Sequence, residues 1–210
     1  MQKPAPTTYI VDDDEGVRKS VRFLLRTVGL ASHTLASAQE FLDTYKPEHP
    51  GCLVLDVRMP GMSGLELQQQ LNLQGAIIPV IFITAHGDIP MSVEAMQHGA
   101  FDFLEKPFRD QDLIDRIQRA LERDARNRAA LAEHERIRAS FDSLTPRERE
   151  VLALMIQGKP NKIMAAELGL SQRTVEIHRA RVMEKTDAAS VAQLVRMAMD
   201  LESEHPASKP

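Results

Sequence analysis

Val54-Leu55-Asp56-Val57-Arg58-Met59-Pro60-Gly61 is the stretch that decides the fold of this 210-residue chain. Leu53 to Leu55, preceded by Cys52, form a short apolar run, and a Met-Pro-Gly turn follows. A continuous apolar run bounded by turn residues is typical of a strand buried on both faces of a parallel sheet. Asp56 would then stand at the carboxyl end of that strand, where open α/β sheets bind their ligands. Taken alone, however, Asp56 is better explained as the start of a turn, a position that aspartate favours.

The composition indicates a globular protein that works in a reducing compartment. Hydrophobic residues make up 43% of the chain and charged residues 27%, and the single cysteine allows no disulfide framework and no cysteine metal site. The N-terminus lacks the apolar core of a signal peptide, and no apolar run approaches the roughly 20 residues that span a bilayer. Aromatic residues are only 4%, which argues against an aromatic platform for RNA. We therefore expect a cytoplasmic protein with no membrane partner.

The net charge of −4 conceals a difference between the two ends of the chain. Residues 1–124 carry 12 basic and 18 acidic side chains, whereas residues 159–185 carry 6 basic and 3 acidic ones. An acidic front and a locally basic back predict two domains with different partners.

Apolar runs and helical repeats alternate five times in the first 120 residues or so. This alternation predicts a five-stranded parallel sheet, doubly wound with helices on both faces, a (βα)5 domain of the α/β class. The expected strands are Thr8–Val11, Ser32–Leu35, Leu53–Leu55, Pro79–Thr84 and Phe101–Leu104, and helices are expected at 17–28, after Ser37, at 64–73, at 88–98 and from 112 onward. No glycine-rich dinucleotide or P-loop motif is present.

Chemically active side chains stand at four of the five strand ends. They are Asp12 and Asp13 after the first strand, Asp56 after the third, Thr84 after the fourth and Lys106 after the fifth. Because these ends share one edge of a parallel sheet, the three carboxylates would repel each other unless a cation lies among them. Hard oxygen ligands suit Mg2+, a hydroxyl and an ammonium suit a phosphoryl group, and a carboxylate can accept that group. Separate turn residues would explain each position singly but explain the combination poorly.

Residues 7–123 resemble the receiver domain of bacterial two-component response regulators. The match is carried by Val11-Asp12-Asp13, Asp56-Val57-Arg58-Met59-Pro60-Gly61, Thr84-Ala85-His86-Gly87 and Lys106-Pro107-Phe108. The resemblance implies that a sensor histidine kinase phosphorylates Asp56 and that Thr84 and Lys106 contact the phosphoryl group. It also implies a set of further roles: Mg2+ held by Asp12, Asp13, Asp56 and the Arg58 backbone carbonyl, Phe103 as the switch aromatic, and a cis bond before Pro107. Asp14 is better explained as a charge favourable to a helix start than as a fourth ligand.

Residues 142–201 show helical patterns and no strand pattern. Thr145-Pro146-Arg147-Glu148 predicts a capping box with proline at the first helical position. Helices at 161–168 and after Ser171 are separated by a short Gly-Leu turn, and a fourth runs from Ser190 to about 201. Two helices joined by a tight glycine turn, the second basic at its start, predict a helix-turn-helix, although an ordinary four-helix core explains the pattern about as well.

The same stretch resembles the LuxR-type module of the FixJ/NarL response regulators, and the order of the two modules is most like FixJ. The match is carried by Leu144-Thr145-Pro146-Arg147-Glu148, Asn161-Lys162, Leu168-Gly169-Leu170-Ser171 and Thr174-Val175-Glu176-Ile177-His178. Thr186 replaces the family's usual leucine, and Ile163 occupies a usually polar site. In the third helix, Val175 and Val182 must face the core, and Ile177 fits either the apolar side or the exposed one. The expected DNA contacts are Lys162, Ser171, Arg173, Thr174, Glu176, Ile177, Arg179, Ala180 and Arg181.

These patterns predict a receiver at 1–123, a helical linker that could self-associate at 124–141 and a DNA-binding domain at 142–204. We expect a phosphorylation-activated transcription regulator whose own phosphoryl transfer and dephosphorylation at Asp56 are its only chemistry. The expected partners are the kinase, promoter DNA as a duplex, a second copy joined through the phosphorylated receiver, and RNA polymerase.

Two other function classes stay open at this point. An aspartate-nucleophile phosphatase would use the same carboxylate chemistry but usually carries a second acid two residues beyond the nucleophile, where this chain has Arg58. A constitutive DNA-binding regulator would use its front domain only as an interaction module. Incorporation of a phosphoryl group separates these classes.

Overall fold

The computed structural model describes residues 5–85 and 89–203, without the side chains of residues 89, 90, 202 and 203. The expected helix start at Asp88 and the His86-Gly87 part of the motif lie outside the described residues, as does the last residue of the expected DNA-binding domain. The chain divides into two compact units after Ala129. The three-part division expected from the sequence stays a prediction.

The first unit is a five-stranded, fully parallel sheet in the order β2-β1-β3-β4-β5. Its strands and helices alternate along the chain, as the sequence predicts. The elements are β1 (Thr7–Val11), α1 (Glu15–Thr27), β2 (Ser32–Leu35), α2 (Ala38–Thr44), β3 (Gly51–Asp56), α3 (Gly64–Leu73), β4 (Val80–Thr84), α4 (Ile89–Gln97), β5 (Asp102–Glu105) and α5 (Asp110–Asp142).

Both faces of the sheet are covered, so the central strands read as continuous apolar runs. One face packs against α2, α3 and α4 through side chains such as Phe41, Leu67 and Ala95. The opposite face packs against α1 and α5 through side chains such as Leu25 and Ile117. The doubly wound α/β class expected from the sequence is therefore confirmed.

Local capping signals set where the helices begin. Ser37 accepts a hydrogen bond from the backbone N–H of Glu40 and starts α2, and Ser63 forms a reciprocal capping box with Glu66 at α3. Asp14 caps α1 by accepting from the backbone of Gly16 and Val17, in agreement with its expected helix-start role.

The strand β5 differs by one residue from the expected Phe101–Leu104. Its ladder with β4 begins at Asp102, which pairs with Ile81. Phe101 only donates its backbone N–H to the Val80 carbonyl at the start of that ladder. Apolar character therefore extends one residue before the regular strand, because Phe101 packs on the core without being part of the ladder.

The second unit is helical throughout its described part. The end of α5 is followed by α6 (Pro146–Ile156), α7 (Asn161–Leu168), α8 (Gln172–Thr186) and α9 (Val191–Ser203). Thr145 and Glu148 form the expected capping box, with Pro146 in the first turn. Val151, Met164, Val175, Val182 and Leu194 are fully buried and form its core. Among the described residues, no helix combines the length and the apolar character needed to cross a membrane.

Thr186 lies in this core, and its hydroxyl is hydrogen-bonded. Its side chain is fully buried, and its Oγ1 donates to the Val182 carbonyl one turn earlier, at 2.7 Å. The polar group that replaces the usual leucine is thus satisfied within α8 itself, because a threonine hydroxyl can bond the carbonyl four residues earlier.

Candidate functional site

The register of the sheet brings the chemically active side chains to one edge. Val11 pairs with Leu55, so Asp12 follows β1 at the level where Asp56 ends β3. Asp56 pairs with Ile83, and Thr84 pairs with Glu105, immediately before Lys106. The backbone N–H of Lys106 donates to the Thr84 carbonyl at 2.8 Å. Four residues that are far apart in sequence therefore meet at the carboxyl edge of the sheet.

Lys106 joins the two buried carboxylates of this edge. Its Nζ lies 2.8 Å from Oδ2 of Asp12 and 3.0 Å from Oδ1 of Asp56. The second oxygen of each acid accepts a backbone N–H, from Asp14 at 2.9 Å and from Arg58 at 2.8 Å. The peptide bond between Lys106 and Pro107 is cis, as the resemblance implies. We call Asp12, Asp56, Thr84 and Lys106 the acid pocket.

Burial dominates the electrostatics of the acid pocket. Asp12 is 1% exposed and Asp56 is 7% exposed. Loss of solvation raises the pKa of the Asp56 carboxyl above its ordinary value, and the hydrogen bond and charge of Lys106 offset this only in part. Burial opposes the charge of Lys106 too, but the hydrogen bonds and charges of Asp12 and Asp56 outweigh it and raise the pKa of the ammonium. The Lys106 ammonium is therefore the shared ion-pair partner of two carboxylates, Asp12 and Asp56, in a pocket that is largely shielded from water.

Asp13 does not join this pair. Its side chain is exposed, and in the part of the chain that the structure describes no three histidine, cysteine, aspartate or glutamate side chains form a group suited to a metal. The expected cluster of three carboxylates is therefore a cluster of two, because consecutive residues at a strand end point in opposite directions. The pair still fits Mg2+ by the chemistry of its donors, since hard carboxylate oxygens converge on a single cationic group.

Thr84 and Phe103 lie on the same face of the sheet. Thr84 is 1% exposed at the end of β4, two residues after Phe82. Phe103 pairs with Phe82 across the strands, and their ring centroids lie 6.4 Å apart. Phe103 is only partly buried. A movement of Thr84 would therefore act on the same sheet face that carries the Phe103 ring.

Two features of the pocket were not predicted from the sequence. The sequence did not indicate that Lys106 bonds Asp12, yet this bond, at 2.8 Å, is slightly shorter than the bond to Asp56 at 3.0 Å. Arg18 was not singled out at all, yet its guanidinium donates to the backbone carbonyls of Asp12 and Asp13 at 2.6 and 2.9 Å. A cation in the first turns of the helix that follows the acidic strand end is the signal that could have identified it.

The helix α8 presents most of the expected DNA contacts to solvent. Ser171 caps it by accepting from the backbone of Thr174, and the two hydroxyls of these residues also bond each other at 2.8 Å. Val175 and Val182 are fully buried, as expected. The side chains of Arg173, Glu176, Ile177, Ala180 and Arg181 are exposed, as is Lys162 on α7, whereas Thr174 and Arg179 are half-buried.

Ile177 is 47% exposed, so of its two expected places the exposed side of α8 is confirmed and the apolar side is wrong. Val175 and Val182, one heptad apart, define the inward face, and Ile177 falls between them on the outer part of the turn. Ile163 on α7 is also exposed, at 44%. Two large apolar side chains therefore lie within a basic surface.

Four cations on α7 and α8 have no carboxylate partner in the part of the chain that the structure describes, in contrast to Lys185, which pairs with Glu148. Within the described residues, Lys162, Arg173, Arg179 and Arg181 form no ion pair. Nucleic-acid affinity depends on such uncompensated cations facing phosphates. The surface formed by α7 and α8 therefore has the charge that a DNA-binding face requires.

Comparisons with known proteins agree with both parts of the molecule. The response regulator receiver domain family matches residues 8–118, and the luxR family of bacterial regulatory proteins matches residues 142–198. Nodulation protein W of Bradyrhizobium diazoefficiens is 48% identical over 193 residues, covering 92% of this chain and 85% of the relative. The transcriptional regulatory protein FixJ of Rhizobium meliloti is also 48% identical over 193 residues, covering 92% of this chain and 95% of the relative.

Two solved structures of similar proteins match nearly the whole chain. The response regulator StyR superposes with a TM-score of 0.86 at 48% identity, covering 93% of this chain and 98% of that chain. Full-length FixJ from B. japonicum superposes with a TM-score of 0.57 at 41% identity, covering 96% and 99% of the two chains. This chain therefore belongs to the two-component response regulators in which a receiver domain precedes a luxR-family DNA-binding domain, and it is a phosphorylation-dependent regulator of transcription.

Proposed function

We propose that Asp56 is the phosphoryl acceptor and that a sensor histidine kinase is the donor. One Asp56 oxygen attacks the phosphorus of a phosphohistidine, the P–O bond forms, the P–N bond breaks, and the imidazole leaves with the electron pair. The observation that supports this most directly is that Asp56 ends the central strand β3 with its carboxylate bonded to an ammonium and to a backbone N–H. Both donors fix the direction of a nucleophile that reacts as a carboxylate.

The other residues of the acid pocket have roles that follow from their positions. The Lys106 ammonium, now shared between two acids, would follow the added charge and bond a phosphoryl oxygen. The backbone carbonyl of Thr84 accepts a hydrogen bond from the backbone N–H of Lys106, so the two residues are adjacent. The buried Thr84 hydroxyl would bond a second phosphoryl oxygen. The phosphoryl group adds about −1.5 to −2 charges. Lys106, which bonds both Asp12 and Asp56 before phosphorylation, would then face a larger negative charge at Asp56 than at Asp12.

We propose that Asp12, Asp13, Asp56 and the Arg58 backbone carbonyl hold Mg2+ during transfer. When bound there, Mg2+ supplies positive charge against the charge that develops on the phosphoryl oxygens. Asp12 and Asp56 already share a cation, which supports this assignment. Asp13 would have to turn towards them from its exposed position.

We propose that phosphorylation leads to dimerisation and promoter binding through the sheet face that Thr84 shares with Phe103. A shift of Thr84 would draw the half-buried Phe103 ring inward and change the surface formed by β4, β5 and the helix between them. This surface would then pair two phosphorylated copies, bring two α8 helices to neighbouring promoter half-sites in the cytoplasm and allow contact with RNA polymerase. In this arrangement residues 1–123 are the receiver, 124–141 the helical linker and 142–204 the DNA-binding domain, and the protein catalyses no reaction beyond forming and losing its own phosphoaspartate.

The test is incubation of the full chain with Mg2+ and acetyl phosphate, followed by intact mass. The wild-type chain should gain one phosphoryl group, and Asp56→Asn should gain none. Asp43→Asn is the matched control, because Asp43 is an exposed acid whose side chain accepts a hydrogen bond from Gln39 on the same helix; it should label like the wild type. Full labelling of Asp56→Asn would disprove the assignment, and an unlabelled wild-type chain would favour a constitutive DNA-binding regulator.

A further inference from the structure

One contact across the helix-turn-helix is explained by neither the core nor a helix cap. Asn161 begins α7 and Glu176 lies in the second turn of α8, and the Nδ2 of Asn161 donates to the Oε1 of Glu176 at 3.4 Å. The N-cap of α7 is Pro160, and this cap makes no side-chain hydrogen bond. The Asn161 amide therefore bonds the neighbouring helix rather than the start of its own.

Glu176 could have been neutralised by its own helix instead. Arg173 and Arg179 lie three residues before and after it, a spacing at which side chains on a helix meet. In the described part of the chain, however, neither arginine forms an ion pair with Glu176, and its carboxylate makes no hydrogen bond other than that with Asn161. An exposed carboxylate thus stands uncompensated within a basic surface.

A carboxylate in this place would be repelled by DNA phosphates, so its presence needs another partner. Glutamate accepts a hydrogen bond from the N4 amino group of cytosine in the major groove. The partial positive charge at the start of α7 favours an anion at the same place. With Oε1 bonded to Asn161, Oε2 remains to accept from a base.

We infer that Asn161 is a positioning residue that holds Glu176 in the orientation that reads a cytosine. The inference rests on the proposed DNA-reading role of α8. In this arrangement α7 contributes to sequence choice without touching a base, because its first residue fixes the side chain that does.

The experiment measures binding of the full-length, acetyl-phosphate-treated protein to a library of single-base variants of its promoter site. Glu176→Ala should relax the preference at one base pair. Asn161→Ala should lower the preference at the same base pair about two- to tenfold, the range expected for one net hydrogen bond. In the Glu176→Ala background, Asn161→Ala should have no further effect on that preference, because the two residues act as one unit.

Arg179→Ala is the control for a phosphate contact. It should weaken binding to all sites alike and flatten the salt dependence while leaving every base preference intact. Thermal unfolding of Asn161→Ala should match the wild type, since Asn161 is not the cap of α7 and its side-chain bond to Glu176 lies at the surface.

The outcomes distinguish the base-reading role of Glu176 from the positioning role of Asn161. If Glu176→Ala leaves every preference unchanged, the reading role of Glu176 fails, and the positioning role fails with it. If Glu176→Ala alters one base pair and Asn161→Ala alters none, only the positioning role is wrong. If Asn161→Ala behaves like Arg179→Ala, Asn161 is a phosphate contact and the inference is overturned.

Discussion

Each unit of the molecule contains a buried carboxylate bonded to a lysine, and the two pairs differ in their electrostatics. In the receiver, Lys106 is shared between Asp12 and Asp56, and burial raises the pKa of Asp56. In the DNA-binding unit, Glu148 is the carboxylate partner of Lys185, at 2.7 Å, and the ammonium also donates to the Ser143 carbonyl at 3.3 Å. The backbone N–H of Thr145 donates to the same Glu148 carboxylate. The Lys185 hydrogen bond, with those from Thr145, lowers the pKa of Glu148 to about 2.

The difference lies in whether the ammonium is shared with a second carboxylate, since Asp56 and Glu148 each also accept a backbone N–H. Among the described residues, no second carboxylate shares the Lys185 ammonium with Glu148, which also accepts a cap N–H, so its charged form is better satisfied in the folded unit than in water. Asp56 competes with Asp12 for one ammonium in a desolvated pocket. A carboxylate that is incompletely compensated costs stability, and that cost is a property expected of a group kept for reaction rather than for structure.

Removing the shared cation should have the largest effect on function. Lys106→Ala leaves Asp56 as a nucleophile, so labelling by acetyl phosphate should remain possible. The phosphorylated variant should fail to dimerise, because no ammonium follows the phosphoryl group towards the Thr84 side of the pocket. Sedimentation of the labelled protein measures this, with Lys185→Ala as the matched control in the other unit. Dimerisation of the labelled Lys106 variant at the wild-type level would refute the coupling role.

Loss of the Lys185–Glu148 ion pair should lower the stability of the DNA-binding unit by a large amount and leave labelling by acetyl phosphate unchanged. A pKa lowered from 4.5 to about 2 corresponds to roughly 3 kcal/mol, and screening of the one-third-exposed Lys185 reduces this to between about 1 and 3 kcal/mol. The folded unit binds fewer protons than the unfolded one, so this contribution is complete above pH 4.5 and is lost as the pH falls towards 2. Glu148→Gln should therefore lower the midpoint of urea unfolding of the DNA-binding unit at neutral pH. The loss should shrink below pH 4, and an unchanged midpoint at neutral pH would contradict it.

The elements of the fold were predictable because each is specified by neighbours in sequence. Ser37, Ser63 and Thr145 are followed three residues later by Glu40, Glu66 and Glu148, and the structure places a cap at each. The apolar runs at β1, β3 and β4 identify strands that are buried on both faces. The limits of β5 were harder to predict from the sequence. Phe101 is apolar because it packs on the core, but the regular pairing with β4 begins only at Asp102.

The sequence identified the four members of the acid pocket, but it also included Asp13, which does not join them, and it did not predict the bonding. Parallel strands require Asp12, Asp56, Thr84 and Lys106 to meet at one edge, and the register confirms this. That Lys106 divides its bonds between two acids depends on distances across three strands, which no local pattern contains. The exposure of Ile177 and the Asn161–Glu176 contact likewise depend on how α7 and α8 pack.

The smallest expected effect is that of Asp56→Asn on the stability of the receiver. This substitution should stabilise the receiver, whereas Glu148→Gln should destabilise the DNA-binding unit. Because burial raises the pKa of Asp56, the folded receiver binds the proton more tightly than the unfolded chain does. The charged form therefore destabilises the fold at every pH above the raised pKa, and this cost disappears below the ordinary pKa of 3.8. Asp56→Asn removes the charge and leaves Lys106 bonded to Asp12, so its melting temperature at pH 7 should be slightly higher than that of the wild type. The advantage should vanish as the pH falls below about 4. A lower melting temperature for Asp56→Asn at pH 7 would mean that Lys106 compensates Asp56 as fully as Lys185 compensates Glu148, and the distinction between the two pairs would not hold.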